Sequence, residues 1–457
     1  MLAAPGNWPP MRQAGLIAPG QGTGGTASLL ALSLFIFVLL LPGMIALRYA
    51  CLLVLILCLK FEYGKDQVST IQPALLGVMG VLAALTAWLL FQALFISKET
   101  TWALGELKSQ WLPALLVFVC GAIFGARQSA GTRYVSIVIV ALLAQVVFSL
   151  AVSGPYFLEN GYFPAGATRW TAGKLEISYA NNLLLAFVLV DLVFRGFYRR
   201  RLSGLPSAIL WLAVLFVVVS NLSFGARNGV ISIILLLISL CLVVMLRQCQ
   251  RFGTTRVAAS GLLAILVIIA LGWASWALDA RWEKFSETAK VALNIDEQRY
   301  WIDERRYSPP TLADGSSVDL SAYLRVAWIR AGLRLVAEQP LGVGYGRNAF
   351  GHALRQHEPT PLGHAHSGFI DLAVGAGVPG VVLWLVLLGS AAWLGLRQYL
   401  RVQSPLGLTL FFVVAGFSGR MLHDSINRDH MLVLFFLLFG ILLSGLVAEM
   451  ASEQISN

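Results

Sequence analysis

Charged residues are scarce in this chain. Only 12% of its 457 residues are Asp, Glu, Lys or Arg, whereas 58% are hydrophobic and the mean hydropathy is +0.75. Soluble domains carry about 25% charged residues, so the composition excludes an ordinary soluble protein and indicates a polytopic membrane protein.

Cysteine is sparse as well. All five copies lie in or beside apolar runs: Cys51, Cys58, Cys120, Cys241 and Cys249. None falls in the long polar loop of residues 279–365, so neither a disulfide framework nor a cysteine-based zinc site is available. The first apolar run also lacks a short core followed by a small-residue cleavage site. We therefore expect no cleavable signal peptide and take that run as a membrane helix.

The apolar runs are long enough to cross a bilayer repeatedly. A membrane helix needs about 20 apolar residues, and about twelve runs approach that length, which predicts an all-α polytopic fold. The candidate spans are residues 28–46, 48–61, 72–96, 111–126, 134–153, 177–195, 206–223, 228–246, 257–278, 366–397, 405–421 and 430–448. The tenth span contains Gly375, Gly377, Pro379 and Gly380, and this composition predicts a kink.

Lys and Arg are distributed unevenly between the two sets of connecting loops. The richer set includes the cluster Arg195, Arg199, Arg200 and Arg201, and basic loops remain cytoplasmic. We therefore expect both termini inside and the 279–365 loop outside, which is the periplasm in a bacterium with two membranes. The net charge of +10 thus reflects orientation and does not require a nucleic-acid partner.

This orientation divides the chain into five segments. We expect a disordered cytoplasmic tail (1–27), a transmembrane region of about nine helices (28–278), a periplasmic loop domain (279–365), a transmembrane region of about three helices (366–448) and a cytoplasmic tail (449–457).

The long loop carries the signals of two helices. One extends roughly from Arg281 to Leu293. The other begins near Asp319 or Ser321, which are good N-cap residues, and ends at Glu338 before a Gln-Pro pair. Four residues of the second helix share one face at three- and four-residue spacing: Leu324, Trp328, Ala331 and Leu335.

Arg227 is a candidate for anion binding. It lies in a Gly-flanked turn between two apolar spans, on the outer side, where an arginine opposes the charge bias. Its planar guanidinium suits phosphate, and the N-terminus of the next helix adds affinity for anions. The alternative is an arginine that extends to the lipid headgroups.

Other arginines are secondary candidates by spacing. Arg325 lies three residues before Trp328 near the start of the second loop helix, where it could bind substrate, remain solvated or pack on the tryptophan. Arg281 and Arg347 could contact substrate, although loop arginines are more often only solvated.

His364 and His366 flank Ala365 at the start of the tenth span. A neutral imidazole accepts a proton near neutral pH, so a general base is one use. A metal site with His352 and His357 is an alternative, but no carboxylate or cysteine stands at a convincing ligand spacing. Simple polar loop residues are the third interpretation. Asp371 could orient His366 or pair with a neighbouring arginine.

The run Gly342-Val343-Gly344-Tyr345-Gly346 imitates a dinucleotide-binding fingerprint. It follows a helix instead of a strand, so we reject that function. We expect a tight turn that uses glycine's access to positive φ.

The order of these motifs resembles the O-antigen ligase family and its wider superfamily, which includes O-antigen polymerases and bacterial O-oligosaccharyltransferases. The matching features span most of the chain. They are the Arg227-Asn228-Gly229 turn, one large loop, Arg325-x-x-Trp328, Glu338-x-Pro340-Leu341-Gly342-x-Gly344-x-Gly346 and His-x-His366-Ser367. The family often has Asn where this chain has Ser367.

The resemblance implies a membrane-embedded fold like the GT-C-type glycosyltransferases and an enzyme of the bacterial inner membrane. The donor would be a glycan on undecaprenyl pyrophosphate, and the acceptor a sugar hydroxyl of lipid A–core. The family's functional residues correspond to Arg227, Arg325 and His366, and no metal or other cofactor is implied.

Two kinds of alternative remain open at this stage. An O-antigen polymerase or a protein O-oligosaccharyltransferase would use the same donor, and the acceptor alone would distinguish them. A lipid or glycan transporter is a different class. Transporters commonly place polar residues at the membrane midplane, whereas here the polar residues gather at one outer face.

Overall fold

The computed structural model describes most of the chain. The described residues are 25–63, 73–127, 133–164, 166, 168–225, 227–252, 261–262, 265–266, 269–270, 273 and 284–456. The predicted span 257–278 and the tail 1–24 lie largely or wholly outside this set.

The described residues are helical. They form α1 (Thr26–Leu39), α2 (Ile45–Tyr63), α3 (Pro73–Phe95), α4 (Thr100–Glu106), α5 (Leu112–Arg127), α6 (Arg133–Asn160), α7 (Lys174–Val193), α8 (Ser207–Ser223), α9 (Arg227–Phe252), α10 (Phe285–Leu293), α11 (Leu320–Glu338), α12 (Ala349–Arg355), α13 (Gly368–Val402), α14 (Pro405–Met421) and α15 (Asp429–Ser456). A π-helical turn, Leu107–Trp111, joins α4 to α5. No β-strand occurs in the described part of the chain.

The helices bear out the membrane character of the sequence. Six are long and apolar enough to cross a bilayer: Leu75–Phe95, Thr100–Ala126, Arg133–Asn160, Lys174–Tyr198, Gly368–Val402 and Asp429–Glu453. Four shorter apolar helices accompany them: Thr26–Leu39, Ser207–Ser223, Asn228–Val243 and Pro405–Met421. The predicted all-α class is confirmed, whereas the number twelve stays a prediction.

The first predicted span has the wrong bounds. Residues 28–46 were expected to form one helix, but α1 ends at Leu39 and α2 begins at Ile45. Pro42 and Gly43 separate the two helices, and Gly43 has a φ of 69°. A proline directly followed by a residue at positive φ cannot continue a helix, and a hydropathy average does not register that stop.

Helix α15 lies at the centre of the transmembrane region and packs very closely on α5. A Cβ atom added to Gly121 would lie 2.4 Å from the carbonyl oxygen of Leu437, and one added to Gly440 would lie 2.3 Å from that of Phe118. Small residues allow two membrane helices to approach at the backbone, where van der Waals contact replaces the missing hydrophobic drive.

The loop domain has its own small core, formed by α10, α11, α12 and the segments between them. The prediction for α11 is confirmed: the Asp319 side chain caps its start by accepting from the Ser321 N–H at 3.1 Å, and the helix ends at Glu338. Of the four residues predicted to share one face, Trp328, Ala331 and Leu335 are buried and Leu324 is half-buried. Helix α10 ends at the predicted Leu293.

Helix α13 is broken where the glycines and proline predicted a kink. Gly377 has φ 71° and ψ 179°, which no α-helix contains. The glycine run of residues 342–346 lies against the break, with N–H groups of Val343 and Gly344 donating to the carbonyls of Val374 and Gly375 at 3.0 Å each. Gln92 also donates to the Gly375 carbonyl, at 2.6 Å. The run is therefore a docking segment with positive φ at Gly342 and Gly344, and not only a tight turn.

Candidate active site

His366 lies where the loop domain enters α13. Its ring stacks on Trp328 of α11, with ring centroids 4.9 Å apart and an interplanar angle of 15°. The Trp328 indole is itself fixed, because its N–H donates to the Trp301 carbonyl at 2.9 Å. The ring of His364 lies 4.3 Å from that of His366. The predicted histidine pair is thus a compact unit held against a buried indole.

The backbone of His366 is strained. Its φ of 53° is in the left-handed region, which costs a residue other than glycine about 1–3 kcal/mol. Neighbouring contacts hold it there. The Ala365 N–H donates to Asp371 Oδ1 at 2.8 Å, and the hydroxyl of Ser425 donates to Asp371 Oδ2. Just beyond, the Gly368 N–H donates to the Asp424 carbonyl at 3.0 Å.

Asp371 therefore acts through the backbone. Of the two predicted roles, the hydrogen bonds support orientation of His366, and they run through Ala365 instead of the imidazole. The predicted arginine pairing is not what binds its oxygens, since both accept from the partners just named. Burial of the carboxylate explains why such partners are needed.

Arg325 connects α11 to the start of α9 and to the loop between α14 and α15. Its Nη1 donates to Asn228 Oδ1 at 3.0 Å, and Asn228 Nδ2 donates to Asp424 Oδ1 at 2.7 Å. The two contacts fix the orientation of the amide, since its oxygen faces a cation and its nitrogen faces a carboxylate. Asp424 Oδ2 lies 2.6 Å from Nε of Arg420, and both side chains are buried.

Arg227 is the first residue of α9, directly before Asn228. The helix N-terminus supplies unpaired N–H groups and positive potential at this position. The side chain of Arg227 lies outside what the structure describes, so its contact with phosphate stays a prediction.

His364 is neutral in this arrangement. Arg428 Nη2 lies 3.4 Å from His364 Nε2. A guanidinium has only donors, so a hydrogen bond here assigns the acceptor role to Nε2 and the proton to Nδ1. Arg428 continues outward, with its Nε 4.0 Å from Asp429 Oδ2.

Burial and positive neighbours lower the pKa of both histidines. Burial is the larger cause for His366, and Arg325 adds to it, so that its pKa falls to about 4. Burial, Arg428 and His366 together lower the pKa of His364 to about 2. For Asp424 burial is the largest single cause and raises the pKa, but Arg420, His423 and Asn228 together outweigh it, so the net pKa is lowered. Near neutral pH the site holds neutral imidazoles beside fixed cations.

The secondary candidates lie elsewhere. Arg347 does not contact the histidine pair; its Nη1 lies 3.3 Å from Asp429 Oδ1, and its backbone N–H donates to Glu106. Arg281 lies outside the described residues. His352 stacks on Trp102 at 3.9 Å and His357 lies 3.5 Å from Glu338, so neither joins His364 and His366 in a metal site.

Sequence reasoning missed the residues that support the site from the last outer loop. Asn228 was predicted only as part of a motif, and Arg420 and Asp424 were not among the candidate site residues. Arg420 is 1% exposed and stands at the end of the apolar run 405–421. A charge inside an apolar run is itself a functional signal, and weighing it so would have found the Arg420–Asp424 pair.

One comparison with known families matches this region. Residues 222–385 match the family model described as O-antigen ligase. The matched segment contains Asn228, Arg325, Trp328, His364 and His366, and it ends before Arg420. No curated protein matched the chain. The resemblance predicted from the motifs is confirmed.

Proposed function

We propose that the chain is a glycosyltransferase of the ligase type, because residues 222–385 match the O-antigen ligase family model. It transfers a glycan from undecaprenyl pyrophosphate to a sugar hydroxyl of lipid A–core. The transfer inverts the anomeric carbon and uses no metal.

The observation that carries this proposal is the neutral His366 held beside Arg325. A general base must be unprotonated, and a lipid pyrophosphate needs cations; the two residues lie close enough for Arg325 to lower the pKa of His366. The stacked Trp328 covers one face of the imidazole and fixes the ring, whose unprotonated nitrogen can accept a proton.

His366 takes the proton of the acceptor hydroxyl as that oxygen attacks the anomeric carbon. The new carbon–oxygen bond forms while the bond from that carbon to the pyrophosphate oxygen breaks, and the electron pair leaves with undecaprenyl pyrophosphate. General bases of this kind contribute roughly 10²- to 10⁴-fold to rate. Direct displacement places the hydroxyl opposite the leaving group and explains the inversion.

Negative charge grows on the departing oxygen, and fixed cations stabilise it. Arg325 is held in place by Asn228, and Arg227 stands at the adjacent helix N-terminus. Preorganised charges in a water-poor site stabilise a transition state more than mobile solvent does. Binding of the anionic donor also offsets the charges that lower the pKa of His366, which strengthens the base when substrate is present.

The proposed function also implies a location and an orientation in the membrane. The chain crosses the bacterial inner membrane with both termini in the cytoplasm, and the loop domain and His366 face the periplasm. With this orientation the chain has the five segments defined from the sequence, from the cytoplasmic tail 1–27 through the periplasmic loop domain 279–365 to the cytoplasmic tail 449–457. A membrane-embedded site served by a large outer loop is the arrangement of GT-C-type glycosyltransferases.

A gene deletion with complementation tests the proposal. In the host, deletion should leave bare lipid A–core together with lipid-linked O-chains of normal length. Wild type should restore full lipopolysaccharide, and His366→Ala, Arg325→Ala and Arg227→Ala should fail at equal membrane levels. His357→Ala is the matched control, since that histidine is half exposed and pairs with Glu338.

Other outcomes identify other activities. Core that carries a single repeat unit after deletion would assign an O-antigen polymerase. Unchanged lipopolysaccharide with loss of protein glycosylation would assign an O-oligosaccharyltransferase. Unchanged lipopolysaccharide and unchanged protein glycosylation would contradict transferase activity of this kind.

A further inference from the structure

A cavity opens near the candidate active site. It has a volume of about 240 Å³ and lies between the end of α1, the start of α2, the π-helical turn and the start of α15. Its apolar wall includes Phe35, Leu39 and Val433. The proposed mechanism uses none of these residues. The cavity suits an amphiphilic ligand, because one side of it is apolar and the other side is polar.

The polar side of the cavity is predominantly cationic. Arg48 and Arg347 line it with Asp429, His430 and Gln110. Asp429 is already matched, with Arg347 Nη1 at 3.3 Å, Arg428 Nε at 4.0 Å and the Gln110 amide at 3.4 Å. The positive charge of Arg48 comes in addition to these contacts, so the polar side of the cavity keeps an excess of positive charge.

Two buried polar atoms in the cavity wall have no partner. They are Nε of Arg48 and Nε2 of His430, neither of which has a hydrogen bond to any described residue. Buried polar groups in folded proteins are nearly always satisfied, so both atoms point to a ligand. A phosphate oxygen meets these requirements, since it accepts from a guanidinium and an imidazole alike.

The cavity is joined to the histidine pair by a short series of contacts. The ring of His366 lies 4.3 Å from that of His364, His364 contacts Arg428, and Arg428 approaches Asp429 at the cavity wall. Arg325 and Asn228 lie toward the start of α9, whereas this series leads toward α1, α2 and α15. The histidines thus separate the proposed pyrophosphate site from the cavity. In an inverting displacement the nucleophile approaches from the side opposite the leaving group.

We propose that this cavity binds a phosphate group of the acceptor glycolipid, with Arg48 as its principal ligand. The assignment rests on the proposed function, because it takes the second lipid substrate to be the acceptor. Binding there would deliver the acceptor hydroxyl to His366 from the side opposite the donor.

Equilibrium binding tests the assignment without requiring turnover. The purified full chain would be titrated with the phosphate-bearing acceptor glycolipid and with the same glycolipid after chemical removal of its phosphates. Wild type should bind the phosphorylated form about tenfold more tightly, the scale of one charge-assisted hydrogen bond. Arg48→Gln should bind both forms with the weaker affinity. Arg334→Gln is the charge-matched control, because Arg334 pairs with Asp296 on the loop surface.

Competition identifies the source of the phosphate. Undecaprenyl pyrophosphate and an anionic phospholipid should leave acceptor binding unchanged in wild type. Displacement by the former would assign the cavity to the donor, and displacement by the latter to bulk lipid; either overturns the proposal. Equal binding of the two acceptor forms by wild type also overturns it.

Two further measurements on the same preparations distinguish a misfolded variant and a failure of the proposed function from a failure of the phosphate assignment. Retained binding of undecaprenyl pyrophosphate by Arg48→Gln shows that the variant is folded, and a variant that lost it would be replaced by Arg48→Lys in the same comparison. A transfer assay tests the proposed function independently of whether the phosphate preference is found.

Discussion

At the residue scale, the site depends on a histidine whose backbone and charge both depart from ordinary values. His366 has a φ of 53° and a pKa lowered to about 4. Asp371 stabilises the backbone conformation by accepting a hydrogen bond from the Ala365 N–H. Burial and the charge of Arg325 lower the pKa. The imidazole of His366 is therefore neutral at physiological pH, as the proposed general base must be.

The pH dependence of catalysis tests this charge state. In the proposed mechanism His366 acts in its unprotonated form, and its lowered pKa keeps that form populated as the pH falls. We expect kcat/KM, which reports the free enzyme, to stay flat between pH 8 and about pH 5.5 and to fall only toward about pH 4. In the residual activity of purified Arg325→Ala the acid limb should move to higher pH, because this variant lacks a cation that lowers the pKa of His366. A wild-type limb centred near the ordinary histidine value of about 6.5 would contradict the account.

The buried pair of Arg420 and Asp424 supports the candidate site through Asn228, which contacts both Asp424 and Arg325. Asp424→Asn leaves the Arg420 charge buried without its counterion, which costs about 3–5 kcal/mol. We expect a marked fall in the Tm of the detergent-solubilised protein. The double variant Arg420→Gln/Asp424→Asn should recover much of that loss, since neither charge remains. A double variant as unstable as the sum of the two single variants would show that the pair is not coupled.

The sequence singled out Arg325, His366 and the His364–His366 pair as candidate site residues, because a motif consists of residues that are close together along the chain. The partners of these residues come from distant segments: Asn228 and Asp424 meet through a hydrogen bond across 196 positions. Spacing cannot bring such residues together. It also left two roles open for Asp371, and only the hydrogen bond to Ala365 decides between them.

At the element scale, the kink in α13 places the segment that follows His366. The break at Gly377 redirects the helix, and the freed carbonyls of residues 374 and 375 are satisfied by the glycine run and by Gln92. The sequence predicted the break from glycine and proline, and it predicted α11 from its cap and its apolar face. It failed at α1, where two residues, Pro42 and Gly43, outweigh a favourable hydropathy.

Two glycines of α13 give a matched comparison. Gly377→Ala would place a Cβ 2.3 Å from the Leu341 carbonyl carbon at a φ of 71°, so we expect a loss of at least about 2 kcal/mol. Gly389→Ala has nothing within 4 Å of the added Cβ and should keep or raise the Tm. Thermal unfolding in detergent measures both. Equal effects at the two positions would mean that the kink is not a required geometry.

At the scale of the whole molecule, the account requires the loop domain and the start of α15 to face one compartment. The contact of Arg347 with Asp429 joins them, and the distribution of Lys and Arg predicts that this side is the periplasm.

Cysteine labelling tests that orientation. In a background with the five native cysteines replaced by alanine, Ser308→Cys lies at an exposed loop position and Arg201→Cys at an exposed position after α7. We expect a membrane-impermeant maleimide to label position 308 in intact spheroplasts and position 201 only after lysis. The reverse pattern would place the site in the cytoplasm.

The most direct test of the central claim is transfer by the purified protein. Lipid-pyrophosphate-linked glycan and lipid A–core would be mixed without metal, in the presence of a chelator, and the glycosylated core quantified by gel and mass spectrometry. We expect product and release of undecaprenyl pyrophosphate with wild type and with His357→Ala, and a rate at least about 100-fold lower with His366→Ala. Transfer by His366→Ala at the wild-type rate would contradict the assignment of His366 as the base.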